Sequence, residues 1–534
     1  MAEGYICPKE LISYFFEKGP GDLYKCNNEK CQQSYKQKAN SGYSNLYAHL
    51  KNCVGADYEE KYREIRVMSN PTLERFSFIT GKEKDRFKWI EWVVMRDMPL
   101  SEVDNELTRE GMKYANVSSK TLRKDIISLS NLVAEGIKKI LPSQFGLMFD
   151  GWTEGSTHYI GIFACFVARD GKYNEVLLAI QPMLDEQHLD ATEHVKLFKS
   201  TLELYGKSTH HIVAIIGDNC STNKRIADIM QRPLIGCFSH KFNLAIEKWI
   251  EEQMGLRNAI DAVADVMKHA STLKNAAALR AFTDLRAVKK NVTRWSSTYF
   301  MLKRYFQIES ELKEVESLIE YLPSATQRAK LNRAMKDFSA FQSIVKALQQ
   351  EGLTLVACRE ICDDVCEDYP IFSHYLSADA DIVHSPVFES AVVKLAKKEF
   401  RSMTSEEKNA VKLLQIEREE GDSSSSETAP EETSLSYFEI IQQRKKQRIA
   451  ELDDVEYIDV GFIVGTSNSV ERVFSAAKLL LTDVRKSMSP LMFEAILFLK
   501  KNWMFWDVQT VASAIKARLN AGQEEQDGDF YYED

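Results

Sequence analysis

The chain has 534 residues, 44% of them hydrophobic and 28% charged, a globular composition too long for one core; at about 150 residues per domain it should hold three or four units. Its formal net charge of −9 excludes a uniformly basic nucleic-acid coat, although phosphate binding depends on local patches and not on the total. The opening MAEGYICPKE has no apolar signal core and no run reaches the roughly 18 to 20 apolar residues of a membrane span, so the ten cysteines are expected in a reducing compartment, as metal ligands before disulfides.

In chain order, residues 1–56 gather Cys26, Cys31, His49 and Cys53 and read as a small metal-dependent unit. Residues 70–142 read as helical: FKWIEWVVMRDMPLSEVDNELTREG and VSSKTLRKDIISLSNLVAEGIKKIL space apolar residues by three and four. Ser118 or Ser119 is placed to cap the second of these helices. The period then changes. Residues 145–153, 158–170 and 173–183 are β-rich, with the turn pair Asp170-Gly171 between the last two runs. A helix in DATEHVKLFKSTLELYG, a strand in HHIVAIIGDN, a short helix in STNKRIADIM and a strand in PLIGCFSH follow. The order β-β-β-α-β-α-β over 143–246 predicts an α/β core with a mixed sheet.

Residues 247–457 read as helical almost throughout. The acidic Ser/Glu/Pro stretch 419–435 inside them is expected to be disordered. The basic run RKKQR at 444–448 has the composition of a nuclear localisation signal, a weak pattern by itself. Amphipathic helix returns at 467–504 within the closing segment 458–508, and a C-terminal helix with an acidic tail fills 509–534. Cys358, Cys362 and Cys366 recur every four residues with no His beside them, which predicts a packed helix stripe.

Two motifs carry chemistry. Cys26 and Cys31 form one pair, and His49 and Cys53, four apart on a helix face, form another. Four soft N/S ligands in this arrangement suit a closed tetrahedral Zn²⁺ site. Lys36, Tyr43, Ser44 and Asn45 between the pairs could meet phosphates and base edges, though a protein-binding finger remains open. Asp150 and Asp218 each end an apolar strand. An acid there is a turn former or, if the two converge, a ligand for Mg²⁺ or Mn²⁺ in in-line phosphoryl transfer.

Asp150-Gly151-Trp152-Thr153, Gly217-Asp218-Asn219, Cys237-Phe238-Ser239-His240, Arg294-Trp295-Ser296-Ser297 and Ser467-Asn468-Ser469-Val470-Glu471-Arg472-Val473-Phe474-Ser475 follow in that order. From roughly residue 75 to 505 this series resembles the hAT superfamily of DNA transposases. The N-terminal segment, with Tyr14-Phe15-Phe16 ahead of it, resembles a BED-type zinc finger, departing from the usual Cys-x2-Cys by having four residues between its cysteines.

The resemblance implies an RNase H-like core interrupted by a large all-α insertion, with Asp150, Asp218 and Glu471 as the catalytic, metal-holding acids. It implies that His240 and Cys237 support the active site, that Trp295 stacks on a flipped base and that Arg294 meets phosphate. Core packing is the alternative for Cys237, His240 and Trp295, and an acidic partner the alternative for Arg294. The closing segment through Lys478, Arg485 and Asn502 looks like the family's dimerisation signature. Transposon-end and target DNA, a homo-oligomer of at least two copies and a nuclear location follow from the resemblance, with no membrane and no small-molecule substrate. A domesticated relative that binds DNA without catalysis stays open, because Val464-Gly465-Thr466 stands where the family often has a Pro-Leu lead.

Overall fold

The computed structural model describes residues 11–12, 15–19, 23–26, 31, 33–36, 43–55, 58, 80–168, 170–183, 185, 188–291, 295–416, 456–481 and 488–524. Arg294, Arg485, the acidic stretch 419–435, the basic run 444–448 and the tail beyond 524 lie outside them. The chain divides into two compact units, Met1–Gly81 and Lys82–Asp534.

The first unit is a three-stranded antiparallel sheet, β1 (Phe16–Gly19), β2 (Leu23–Cys26) and β3 (Ser34–Lys36), followed by helix α1 (Ser44–Cys53). Leu46, His49 and Leu50 recur at three and four, so one face of this helix is buried. Its buried core also holds Leu11, Ile12, Phe16, Cys26 and Tyr58.

The second unit begins with α2 (Gly81–Met95) and α3 (Ser119–Ile140). Leu122, Ile126, Leu129, Val133 and Ile137 form the buried stripe of α3, and Ser118 caps it by accepting the Thr121 N–H at 3.1 Å. Next come β4 (Phe145–Glu154), β5 (Thr157–Val167) and β6 (Tyr173–Pro182). Between β5 and β6, Gly171 takes φ +77° and Asp170 accepts the Lys172 N–H at 3.1 Å, so Asp-Gly makes the turn that its residue types favour. Helix α4 (Ala191–Leu204), strand β7 (Ile212–Gly217), helix α5 (Ser221–Met230) and strand β8 (Leu234–Gly236) complete the sheet in the order β6-β5-β4-β7-β8. β4, β5 and β6 pair antiparallel, and β4–β7 and β7–β8 pair parallel. Every residue of β7 is buried, as befits a strand covered on both faces. The mixed sheet and its β-β-β-α-β-α-β order are those read from the sequence.

Helices then dominate: α6 (Phe238–Glu252), α7 (Leu256–Ala270), α8 (Trp295–Lys313), α9 (Ala325–Leu348), α10 (Leu355–Asp368) and α11 (Pro386–Ala396). Trp249 stands edge-on to Phe338 and Phe341 in their core, with ring centroids 5.7 and 5.2 Å away. Cys358 and Cys362 are buried on one face of α10, as a packed stripe requires. Helices α12 (Asn468–Leu480), α13 (Pro490–Lys501) and α14 (Val508–Glu524) return to the sheet and to α3. The fully buried Asp125 of α3 is bracketed by Arg86 of α2 and by Arg518 of α14, whose Nε lies 2.8 Å away. No helix among the described residues is long and apolar enough to cross a membrane.

Glu494 on α13 faces β6, where its carboxylate accepts the Ile180 N–H at 3.3 Å. Burial pushes its pKa up to about 7 against that single hydrogen bond. A carboxyl with a higher pKa folded than unfolded binds more protons when folded, so its contribution is complete below about pH 4.5 and is lost as pH rises through 7. Glu494→Gln should therefore gain roughly 3 kcal/mol on wild type between pH 5 and pH 8 in urea unfolding; parallel stability profiles for the two proteins would contradict the assignment.

Candidate functional site

In the first unit the two ligand pairs meet. The ligand atoms of Cys26, Cys31, His49 and Cys53 all lie within 4.8 Å of one another. Cys26 Sγ is 4.0 Å from Cys53 Sγ, and Cys31 Sγ is 3.5 Å from His49 Nε2. A tetrahedral zinc with Zn–S of about 2.3 Å and Zn–N of about 2.0 Å sets ligand edges of roughly 3.5 to 3.8 Å, so the set can hold a metal such as zinc. Backbone pairing builds it: Cys26 N–H donates to Gln33 O at 2.8 Å, which folds the chain back despite the four residues between the cysteines. A hydrogen bond from the Gln33 backbone holds the Cys31 thiol below its ordinary pKa, toward the thiolate a metal needs. Burial pushes His49 down, toward neutral imidazole. The Tyr35 hydroxyl donates to Gln33 Oε1 at 2.7 Å and lies 2.9 Å from His49 Nδ1. Its oxygen is thus placed to accept the Nδ1 proton, which leaves Nε2 as the ligand atom.

In the second unit, Met148 of β4 is in parallel register with Ile216 of β7. Counting on two residues, Asp150 and Asp218 take equivalent places on neighbouring strands, which run about 4.8 Å apart; Asp218 lies just past the end of β7, whereas β4 does not end at Asp150 as read from the sequence but runs on to Glu154, held by its pairing with β5. Asp150 pairs with Gly161 of β5. A Cβ built on Gly161 would lie 2.6 Å from Val470 Cγ1 and 3.5 Å from the Phe474 ring, so α12 rests on that point of the sheet. Directly paired residues share a face, which puts the Asp150 side chain on the face that α12 covers. Glu471, next to Val470 in the first turn of α12, is half-buried there. Trp152, two residues on from Asp150, meets Phe474 at 5.7 Å between ring centroids, with the Lys478 ammonium 5.9 Å from its ring. His240 Nδ1 lies 3.6 Å from Asp218 Oδ2. The oxygens of Asp150, Asp218 and Glu471 are not drawn within 4.8 Å of one another; among the described residues the Cys/His set alone is so gathered.

Cys237 is a joint. Its N–H donates to Gly217 O at 2.8 Å, beside Asp218, and its Sγ receives the Ser467 N–H at 3.5 Å, at the head of α12. Burial, with the Asp218 charge adding to it, pushes its thiol up to about 11, so the residue positions its neighbours and is a poor nucleophile. Trp295 differs from the exposed base-stacking surface that the resemblance implies. It is 3% exposed and packs on Phe338 with ring centroids 4.7 Å apart, because the first turn of α8 faces the helical core.

Residue-by-residue reading missed the groups that seat α12. Asn468 Nδ2 donates to Ser239 Oγ at 3.1 Å and to Leu348 O at 2.7 Å. Ser469 Oγ donates to Glu175 Oε2 at 2.8 Å, and Lys501 Nζ lies 2.7 Å from Glu175 Oε1. Burial works to raise the Glu175 carboxyl, but the Lys501 ammonium and these hydrogen bonds hold it below its ordinary value. Ser467, Asn468 and Ser469 belong to a recognisable motif; Gly161 and Glu175 had no local signal. No protein-family model and no curated protein sequence matches the chain.

With Co²⁺ in place of zinc, the first unit should show intense thiolate-to-metal charge transfer, weakened by Cys53→Ser; an unchanged spectrum would remove Cys53 from the ligand set. In the second unit, Gly161→Ala should lower stability by about 1 to 3 kcal/mol in thermal melts, because Val470 has to yield to the new methyl group.

Proposed function

We propose that the protein is a metal-dependent DNA-cleaving and strand-transferring enzyme of the hAT transposase type, working in the nucleus on an RNase H-like core with a helical insertion. The observation that carries this reading is the equivalent register of Asp150 and Asp218 on neighbouring strands, on the sheet that the Glu471 helix covers. Asp150, Asp218 and Glu471 offer hard oxygen donors of the kind Mg²⁺ and Mn²⁺ prefer. Such ions would activate a water or a DNA 3′ hydroxyl and neutralise the phosphate under attack. His240, 3.6 Å from Asp218, can hold that carboxylate in place or pass on a proton. The finger, built by a separate unit, suits recognition of DNA ends. A homodimer through the C-terminal helices is supported by Leu479, Leu491, Trp503 and Met504, each more than half exposed.

A second reading, a DNA-binding regulator that uses the finger and performs no catalysis, is favoured by one fact: the Cys/His ligands are gathered within 4.8 Å, and the three acids are not. One experiment separates the two. Wild-type protein and Asp150→Asn are incubated with supercoiled plasmid in Mn²⁺ or Mg²⁺, and DNA affinity is measured in parallel. Nicking should fall at least about a hundredfold in the variant with affinity unchanged. Cleavage by the variant at the wild-type rate would defeat the acid assignment, and a wild-type protein that binds DNA but never cuts it would establish the regulator.

A further inference from the structure

We infer that the face made by the end of α7, the segment 280–291 and α8 docks the phosphate backbone of DNA. The choice of DNA as the polyanion rests on the function proposed above; the surface itself rests on charge. Between Val266 and Ile308 the sequence carries nine Lys or Arg residues and one acid, Asp284, in a chain whose formal net charge is −9. Folding gathers several of the described ones. Arg280 and Arg286 line one cleft with Leu279 and Leu285. Arg304 of α8 donates from Nη1 to Arg286 O at 2.5 Å, and Lys290 holds Asp261 of α7 at 2.7 Å. Asn291 N–H donates to Ser297 Oγ at 2.8 Å, so a segment with no helix or strand from 283 to 291 is pinned to the helices on either side.

Arg280, Arg286, Lys289 and Lys303 are exposed, and among the described residues no carboxylate pairs with any of them. Like charges left without a carboxylate partner near one another, as Arg280 and Arg286 are in their cleft, repel unless a counter-charge docks. Three of these residues lie on the segment 280–291 and one on α8. A duplex with one charge per about 1.7 Å could engage several at once and release its own counterions. Phe282 and Phe300, 50% and 45% exposed beside them, offer stacking surfaces for bases that come unpaired.

The test uses the full chain and a fluorescein-labelled duplex of about 30 base pairs of arbitrary sequence, with anisotropy read from about 50 to 200 mM KCl. The variant is R280Q/R286Q/K289Q/K303Q. Its log Kd against log salt should be shallower by about 3 to 4, with affinity near 100 mM salt at least about tenfold weaker and an unaltered circular dichroism melt. K289Q/K303Q alone should lose about half that slope, which keeps the inference testable if the larger variant misfolds. Wild-type slope and affinity in either folded variant would overturn it, as would tighter binding of a labelled polyglutamate peptide, which would assign the face to an acidic protein. Plasmid nicking by the wild type separates the two claims. Nicking with an unchanged slope sinks this surface alone, and a changed slope without nicking sinks the nuclease alone.

Discussion

Helix α12 can rest on β5 only because that strand has no side chain at Gly161, where a methyl group would sit 2.6 Å from Val470 Cγ1. That contact joins segments about 310 residues apart in sequence. Loop-closure entropy rises only with the logarithm of such a separation, so a modest set of local contacts can hold the helix once the intervening residues have folded. The polar groups of its first turn supply them on different elements: Ser467 to Cys237, Asn468 to Ser239 and Leu348, Ser469 to Glu175. Each bond satisfies a group that would otherwise be buried without a partner. Together they fix the rotation of the helix, and rotation decides which side chain meets the sheet.

Other charged side chains close the second unit in the same way. Asp125 bridges α2, α3 and α14, and Lys500 of α13 meets Asp97 at 2.6 Å, just beyond α2. Inside the helical region, Lys241 of α6 and Glu389 of α11 are both buried and lie 3.6 Å apart. Burial of this kind contributes little net stability, because desolvation opposes the attraction, but it penalises every arrangement that separates the pair. Lys241 follows His240, so the Glu389 contact also holds the start of α6 where His240 meets Asp218.

The first unit solves a different problem. A metal at its Cys/His set would contribute about 10 to 16 kcal/mol on the scale of small zinc modules. The Tyr35–Gln33 pair directs one imidazole nitrogen at that set, so the outer hydrogen bonds matter as much as the ligands.

Much of this was legible in the sequence wherever the signal is local. The Cys/His set could be read from spacing, since a turn and one helix face bring the ligands together without help from distant residues. The Asp170-Gly171 turn, the Ser118 cap and the strands that carry Asp150 and lead into Asp218 could be read from period and residue type. The sequence by itself thus determined the elements of the mixed sheet and the ligand set. Only the tertiary structure decided what covers each element: that Trp295 faces the helical core and not solvent, that Gly161 is the seat of α12, and that Glu175, Cys237 and Ser239 hold the head of that helix. Periodicity states which face of an element is apolar but not its partner, because that choice is made by contacts between residues hundreds of positions apart.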